Sequence, residues 1–388
     1  MAFGEPRDPK STRRLLALDG GGIRGMITLE FLAEIENLLR QKLGRGPDFV
    51  LADYFDYVAG TSTGAIIAAC ISLGMSTASI LEFYEANGQA MFEKSSILKR
   101  LRYKYEDDKL AAKLRDVIRA QAGTRAGAAD PTLGSEALRT GLMMVMRNAT
   151  TDSPWLLSNN PAAKYNDRNR ADCNLNLPLW QLIRASTAAP VYFPPEVVHI
   201  GKHEFVFVDG GLTTYNNPAF ILFLMATLEQ YRVGWVAGED RMLLVSVGTG
   251  TNPAANENLD PSEMNLLYNA ASLPSALMYA ALNEQDMLCR AFGRCRAGAA
   301  LDREIGTLAE GAGPLAALYG ELPEKRLFSY MRYNCELSRA GLDALGLPHV
   351  EPRNVQRLDS IEYIPQLREV GRSAAKGTVR ASHFDGFV

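Results

Sequence analysis

The chain has 388 residues, 47% of them hydrophobic and 22% charged, with a formal net charge of −3. This is the composition of an ordinary soluble globular protein, one large domain or two smaller ones, and its charge gives no global attraction to nucleic acid or anionic lipid. Five cysteines, an odd number with no Cys-x-x-Cys, argue against a zinc site or a disulfide framework and suit a reducing cytoplasm; no metal or cofactor is expected.

Met1 to Lys10 lacks an apolar signal core, so secretion by that route is not expected, and residues 1–12 read as an N-terminal tail. Arg14 to Leu18 predicts a buried strand. Asp19-Gly20-Gly21-Gly22-Ile23-Arg24-Gly25 follows and leads into a helix from Met26, with Phe31, Leu32, Ile35, Leu38 and Leu39 on one face and Glu30, Glu34, Asn37 and Gln41 on the other. Glycines at a strand-to-helix junction leave backbone N–H groups free to meet a negative oxygen, with the helix dipole adding to the attraction, so this loop suits an oxyanion hole. Gly20, Gly22 and Gly25 also satisfy the dinucleotide fingerprint Gly-x-Gly-x-x-Gly. That reading needs an acidic residue at the end of the next strand, about 20 residues on. Here the next strand runs straight into Gly60-Thr61-Ser62 and offers none. No Gly-Lys-Ser or Gly-Lys-Thr marks a P-loop.

Phe55 to Ala59 predicts that next strand, Gly60-Thr61-Ser62-Thr63-Gly64 a sharp turn, and Ala65 to Ala69 the start of a helix. This is the context of a nucleophile elbow, in which a tight turn lifts the serine Oγ clear of the sheet. Lys94 to Lys104 interleaves Lys94, Lys99, Arg100, Arg102 and Lys104 with apolar and aromatic residues, which suits either a phospholipid-facing surface or a solvated face. Ala122 to Ser135 reads as a flexible loop or lid.

A serine nucleophile needs a base. The four histidines, His199, His203, His349 and His383, offer none at the end of a core strand; the first two flank Gly201-Lys202, a hairpin turn. Asp209 is the better candidate, since it ends the strand-like Glu204 to Val208 and precedes Gly210-Gly211. Ala219 to Ala226, after Asn216-Asn217-Pro218, is too short to span a bilayer and predicts a buried helix. Met242 to Val247 predicts a further strand ahead of Gly248-Thr249-Gly250. Beyond it, Pro261 to Cys295 is largely helical by pattern. Gly306 to Pro323 is rich in Gly, Ala and Pro, and Leu358 to Ala375 forms an amphipathic helix despite Pro365.

The glycine loop Asp19–Gly25, the elbow Gly60–Gly64 and Asp209-Gly210-Gly211 resemble, in type and order, the motifs of the patatin-like phospholipases. Ala185-Ser186-Thr187-Ala188-Ala189-Pro190 resembles that family's Ala-Ser-x-Ala-x-Pro segment. The fold expected is a three-layer α/β/α sandwich with a mainly parallel central sheet, a catalytic core over residues 13–250, and a mostly helical extension over 251–388 packed on it. The resemblance implies a lipid acyl hydrolase, a serine esterase of phospholipase A type acting on phospholipid or another acyl-ester lipid, with a Ser-Asp dyad and no histidine. Ser62 is then the nucleophile, Asp209 the base, and the amides of Gly20, Gly21 and Gly22 the oxyanion donors. Gly25, Gly60, Gly64, Gly210 and Gly211 support these turns. Arg24 has two readings, attraction of a lipid phosphate or pinning of the glycine loop. Membrane contact is expected to be peripheral, at the inner face. Some bacterial members of the family are switched on by cyclic dinucleotides in phage defence, and a nucleotide activator stays open for this chain. A non-catalytic interaction protein on the same fold is the remaining alternative, against which the intact Ser62 and Asp209 argue.

Overall fold

The computed structural model describes residues 11–92, 103–125, 127–190, 193–252, 266–302, 304–308 and 326–388. Among them, nine strands form one sheet: β1 (Arg13–Leu18), β2 (Tyr57–Thr61), β3 (Gly141–Asn148), β4 (Ser153–Ser158), β5 (Glu196–Ile200), β6 (His203–Asp209), β7 (Met242–Val247), β8 (Arg294–Ala297) and β9 (Ser329–Tyr333). Their order in space is β5-β6-β3-β2-β1-β7-β9-β8, with β4 paired to β3. The run from β3 to β8 is parallel throughout, while β4, β5 and β6 pair antiparallel.

The inner parallel strands β1, β2, β3 and β7 read as largely apolar runs because both faces of the sheet are covered. Leu16, Leu18, Val58, Met144 and Val245 point into one layer, and Leu15, Ala17, Ala59, Val145 and Leu244 into the other. Helices α1 (Gly25–Lys42), α2 (Thr63–Ser72), α3 (Thr77–Phe92), α4 (Tyr103–Gln121) and α5 (Leu179–Thr187) pack on the first face, and α6 (Ala219–Thr227) and α7 (Leu266–Phe292) on the second. Three further helices, α8 (Arg339–Ala344), α9 (Pro352–Gln356) and α10 (Ile364–Thr378), return to the first face. The result is the three-layer α/β/α sandwich with a mainly parallel sheet.

The structure differs from the sequence reading in several places. Residues beyond 250 do not only add helices: β8 and β9 extend the sheet beside β7. Glu30, assigned to a polar face, is 6% exposed because α10 lies across α1, where Arg368 and Arg372 pair with it at 2.5 and 3.1 Å. Gly371 permits that crossing, since a Cβ there would sit 3.0 Å from the Ile27 Cα. Pro365 falls in the first turn of α10, where a missing N–H breaks no helical bond. The Ala122 to Ser135 stretch is tied down. Asp130 is held by Arg115, Arg119 and the Trp180 indole, and Leu133 is fully buried. The basic stretch Lys94 to Lys104 and the segment Gly306 to Pro323 lie for the most part outside the described residues. Among the described residues no helix is long and apolar enough to cross a membrane.

Candidate active site

β2 ends at Thr61, and Ser62 turns the chain into α2 with φ 54° and ψ −123°. Residues with a side chain rarely adopt this strained conformation, which lifts the hydroxyl off the sheet. The turn closes only where its flanks are bare. A Cβ at Gly60 would lie 2.0 Å from the Gly64 carbonyl oxygen, and one at Gly64 2.3 Å from that of Leu18.

β3 brings a carboxylate to this serine. Thr61 pairs with Val145, and Asp209, the last residue of β6, pairs with the next residue along, Met146. β4 occupies the other edge of β3, so β2 and β6 arrive from opposite directions and meet end to end on the same edge. Ser62 Oγ donates to Asp209 Oδ2 at 2.6 Å, and the Gly211 N–H donates to Oδ1 at 2.7 Å. Gly210 is bare for a local reason: a Cβ there would meet the Val145 carbonyl oxygen at 2.2 Å. The end of α5 completes the support. Ser186 Oγ donates to the Val145 carbonyl at 2.6 Å and accepts the Ser62 N–H at 3.0 Å, while the Asp209 N–H donates to the Ala188 carbonyl at 2.9 Å. Asp209 is 6% exposed. Burial pushes its carboxyl up to about 6, against the hydrogen bonds from Ser62 and Gly211. It is therefore ionised at neutral pH, yet a stronger base than a solvated carboxylate.

The glycine loop approaches from β1. A Cβ at Gly20 would lie 3.3 Å from the Ser62 Cβ, so the bare Cα lets the loop close over the serine. Of the three amides expected to face an oxyanion, the Gly20 N–H already donates to the Asn216 carbonyl at 3.0 Å. Those of Gly21 and Gly22 have no acceptor among the described residues. Gly22, at φ +59°, takes the left-handed turn that folds the loop back, and Gly25 packs where a Cβ would be 2.6 Å from Thr63 Oγ1. Arg24 donates from Nη1 to the Gln356 carbonyl at 3.3 Å, and burial pulls its guanidinium down to about 10.

The loop has a second anchor that the sequence did not announce. Asp19 is 1% exposed and receives both Arg332 guanidinium nitrogens, at 2.9 and 2.6 Å; Arg332 also donates to Ser246 Oγ at 2.8 Å. Arg332 is the fourth of the five residues of β9, where a buried strand alone calls for an apolar residue. Arg332→Met is expected to strand the Asp19 carboxylate in the core and lower the unfolding free energy by about 3–5 kcal/mol, read by urea denaturation. Adding Asp19→Asn should recover part of that loss. A loss in the single variant below about 1 kcal/mol, the range of an exposed pair, would show that the pair does not hold the loop.

The histidines are elsewhere. His199 pairs with Glu204 and His349 with Glu369, His383 hydrogen-bonds Tyr333, and His203 opens β6 at the end opposite Asp209. Among the described residues no three His, Cys, Asp or Glu side chains gather as a metal site. Ser186, Asn216 and Arg332 are the site's neighbours that the sequence reading did not assign. Ser186 lay within a quoted motif without a role, and Asn216 in a helix-start signal.

A serine elbow hydrogen-bonded to a buried aspartate, under a glycine loop on a parallel α/β/α sheet, defines the class to which comparison with known proteins can be put. The family model of the patatin-like phospholipases matches residues 16–223, and the chain belongs to that family. It is 31% identical over 255 residues to Patatin-15 of Solanum tuberosum, a match covering 61% of this chain and 60% of that protein. To Patatin-2-Kuras 4 of the same plant it is 30% identical over 255 residues, covering 61% and 62%. The chain thus spans about three fifths of the length of these relatives. Among solved structures, VipD from Legionella pneumophila aligns with a TM-score of 0.35 at 14% identity, over 92% of this chain and 67% of that one. Human GIVD cytosolic phospholipase A2, solved with methyl gamma-linolenyl fluorophosphonate, aligns at 0.36 and 13%, over 96% and 60%.

Proposed function

We propose that this protein is a lipid acyl hydrolase that cleaves carboxylic ester bonds of phospholipids or related lipids through an acyl-enzyme on Ser62. The 2.6 Å hydrogen bond from Ser62 Oγ to Asp209, at a strained elbow, carries the reading. In the first half-reaction Asp209 takes the Ser62 proton as Oγ attacks the ester carbonyl. The oxyanion forms against the Gly21 and Gly22 amides, and Asp209 returns the proton to the departing alcohol. In the second, water gives a proton to Asp209 and attacks the acyl carbonyl, and Ser62 leaves with that proton. Each preorganised amide is worth about 2.7–4 kcal/mol to the charged intermediates. The raised proton affinity of Asp209 matches a base that must both take and release a proton near neutrality. Five buried, unpaired cysteines agree with a cytoplasmic setting, from which the protein meets lipid as a peripheral visitor to the membrane.

A fluorophosphonate probe should add to Ser62 with loss of fluoride, located by peptide mass spectrometry, and phospholipid hydrolysis should be lost in the labelled protein. Because Asp209 must be ionised, kcat/KM should fall about tenfold for each unit below about pH 6. A flat profile down to about pH 4 would remove Asp209 as the base.

A further inference from the structure

Ser62 and Asp209 meet at a seam in the sheet, where β2 ends beside Val145 of β3 through Thr61 and β6 ends beside Met146 through Asp209. The main chains of both residues are tied to one place, the end of α5. The Ser62 N–H donates to Ser186 Oγ at 3.0 Å, and the Asp209 N–H donates to the Ala188 carbonyl at 2.9 Å, two residues further on. Ser186 is fully buried and its hydroxyl is committed twice. Its one hydrogen goes to the Val145 carbonyl at 2.6 Å, so the oxygen meets the Ser62 N–H as an acceptor, and the two bonds fix its rotamer.

What it holds is strained. Ser62 stands at φ 54° and ψ −123°, a conformation that persists only where the surroundings over-determine it. An elbow released at its N–H would relax and carry Oγ away from Asp209 Oδ2, now 2.6 Å distant. We infer that Ser186 is a positioning residue, whose hydroxyl braces the strained elbow against β3 and so sets the distance from nucleophile to base. The inference rests on the hydrolase reading and adds to it a residue that acts through Ser62 without touching substrate. Ala188 serves the base through a carbonyl that any residue carries, whereas Ser186 serves the nucleophile through a side chain, so position 186 is the one that a substitution can probe.

Ser186→Ala removes both hydroxyl bonds, while Ser186→Cys fills the same space with a thiol that accepts an N–H only weakly. On p-nitrophenyl butyrate, well below the Tm of each protein, both variants should lose about 10- to 100-fold in kcat with KM little changed, the cost of misplacing a reacting group by about an ångström or less. A second readout separates placement from packing. Burial raises the proton affinity of Asp209 and the hydrogen bonds from Ser62 and Gly211 lower it, with no charged side chain contributing among the described residues. A weakened Ser62 bond lets the carboxyl rise, so the acid limb of kcat/KM, set near pH 6 by the wild-type carboxyl, should move to higher pH in both variants. A residue that serves stability alone would scale the profile down and leave the limb in place. A folded Ser186→Ala or Ser186→Cys within about threefold of wild-type kcat would overturn the inference, as would a loss of activity with the acid limb unmoved; should Ser186→Ala fail to fold, Ser186→Cys decides. Ser62→Ala supplies the baseline. If the wild type shows no turnover above it, the hydrolase reading fails and this inference with it.

Discussion

Ser62→Ala and Asp209→Asn should each lower turnover of p-nitrophenyl and phospholipid esters by about 10⁴-fold or more, and the double variant should be no slower than the worse single, because the two groups act as one unit. The Asp209 variant carries a second signature. In the wild type the Asp209 carboxyl sits at about 6 in the folded protein, above the ordinary value of 3.8, with burial as the cause. A folded state that binds the proton more tightly than the unfolded one is favoured at low pH. That contribution is fully present below about pH 4 and is lost as pH rises through about 6. At pH 8 the ionised carboxylate thus costs the fold about 3 kcal/mol, which a neutral Asn avoids. Asp209→Asn should melt at a higher temperature than wild type at pH 8, with the gap closing at pH 4. Near wild-type turnover in Asp209→Asn, or a lower Tm at both pH values, would contradict a buried carboxylate retained for proton transfer.

Gly21→Ala should be nearly as damaging although it adds a single methyl group. The new Cβ would fall 2.1 Å from Thr249 Oγ1 and 2.6 Å from Thr249 Cβ, and Thr249 is itself buried and donates to the Gly20 carbonyl at 3.1 Å. The loop cannot keep its place, and the Gly21 and Gly22 amides move together, so kcat should fall by about 10²- to 10³-fold or more. Ser62 and Asp209 do not depend on that methyl-sized gap, and slow labelling by a fluorophosphonate should persist. The cause is steric, so Thr249→Gly in the Gly21→Ala background should restore part of kcat. No recovery in the double variant, with both proteins folded, would mean that the glycine serves the loop in some other way.

How much of this was legible depends on range along the chain. The elbow, the glycine loop and the strand-ending aspartate were readable because each is a local backbone demand, a bare Cα where two segments touch, and such demands leave glycines at fixed spacings. The sheet's core strands were readable from unbroken apolar runs. What the sequence hid are partners that tertiary structure supplies. Arg332 reaches Asp19 over 313 positions, and nothing near either residue signals the other. β9 is five residues long with that arginine inside it, which masks it as a strand. Glu30 looked solvated because α10 is needed to cover it. Gly20 looked like a donor because its engagement by the Asn216 carbonyl depends on a turn nearly 200 residues downstream.

The end-to-end meeting of β2 and β6 on β3 bears on how such a protein can be controlled. Thr61, just before Ser62, and Asp209 pair with neighbouring residues, Val145 and Met146, about 3.8 Å apart at Cα, so pulling Ser62 and Asp209 apart would mean tearing a ladder in the middle of the sheet. The dyad has no inexpensive off position. The glycine loop is different: beside its bonds to Asn216, Val247 and Thr249 it is tied to the last 60 residues of the chain at three points, Asp19 to Arg332, Ile23 to the Leu358 carbonyl and Arg24 to the Gln356 carbonyl. A shift of that terminal segment would move the Gly21 and Gly22 amides, the oxyanion donors proposed above, while Ser62 and Asp209 keep their hydrogen bond.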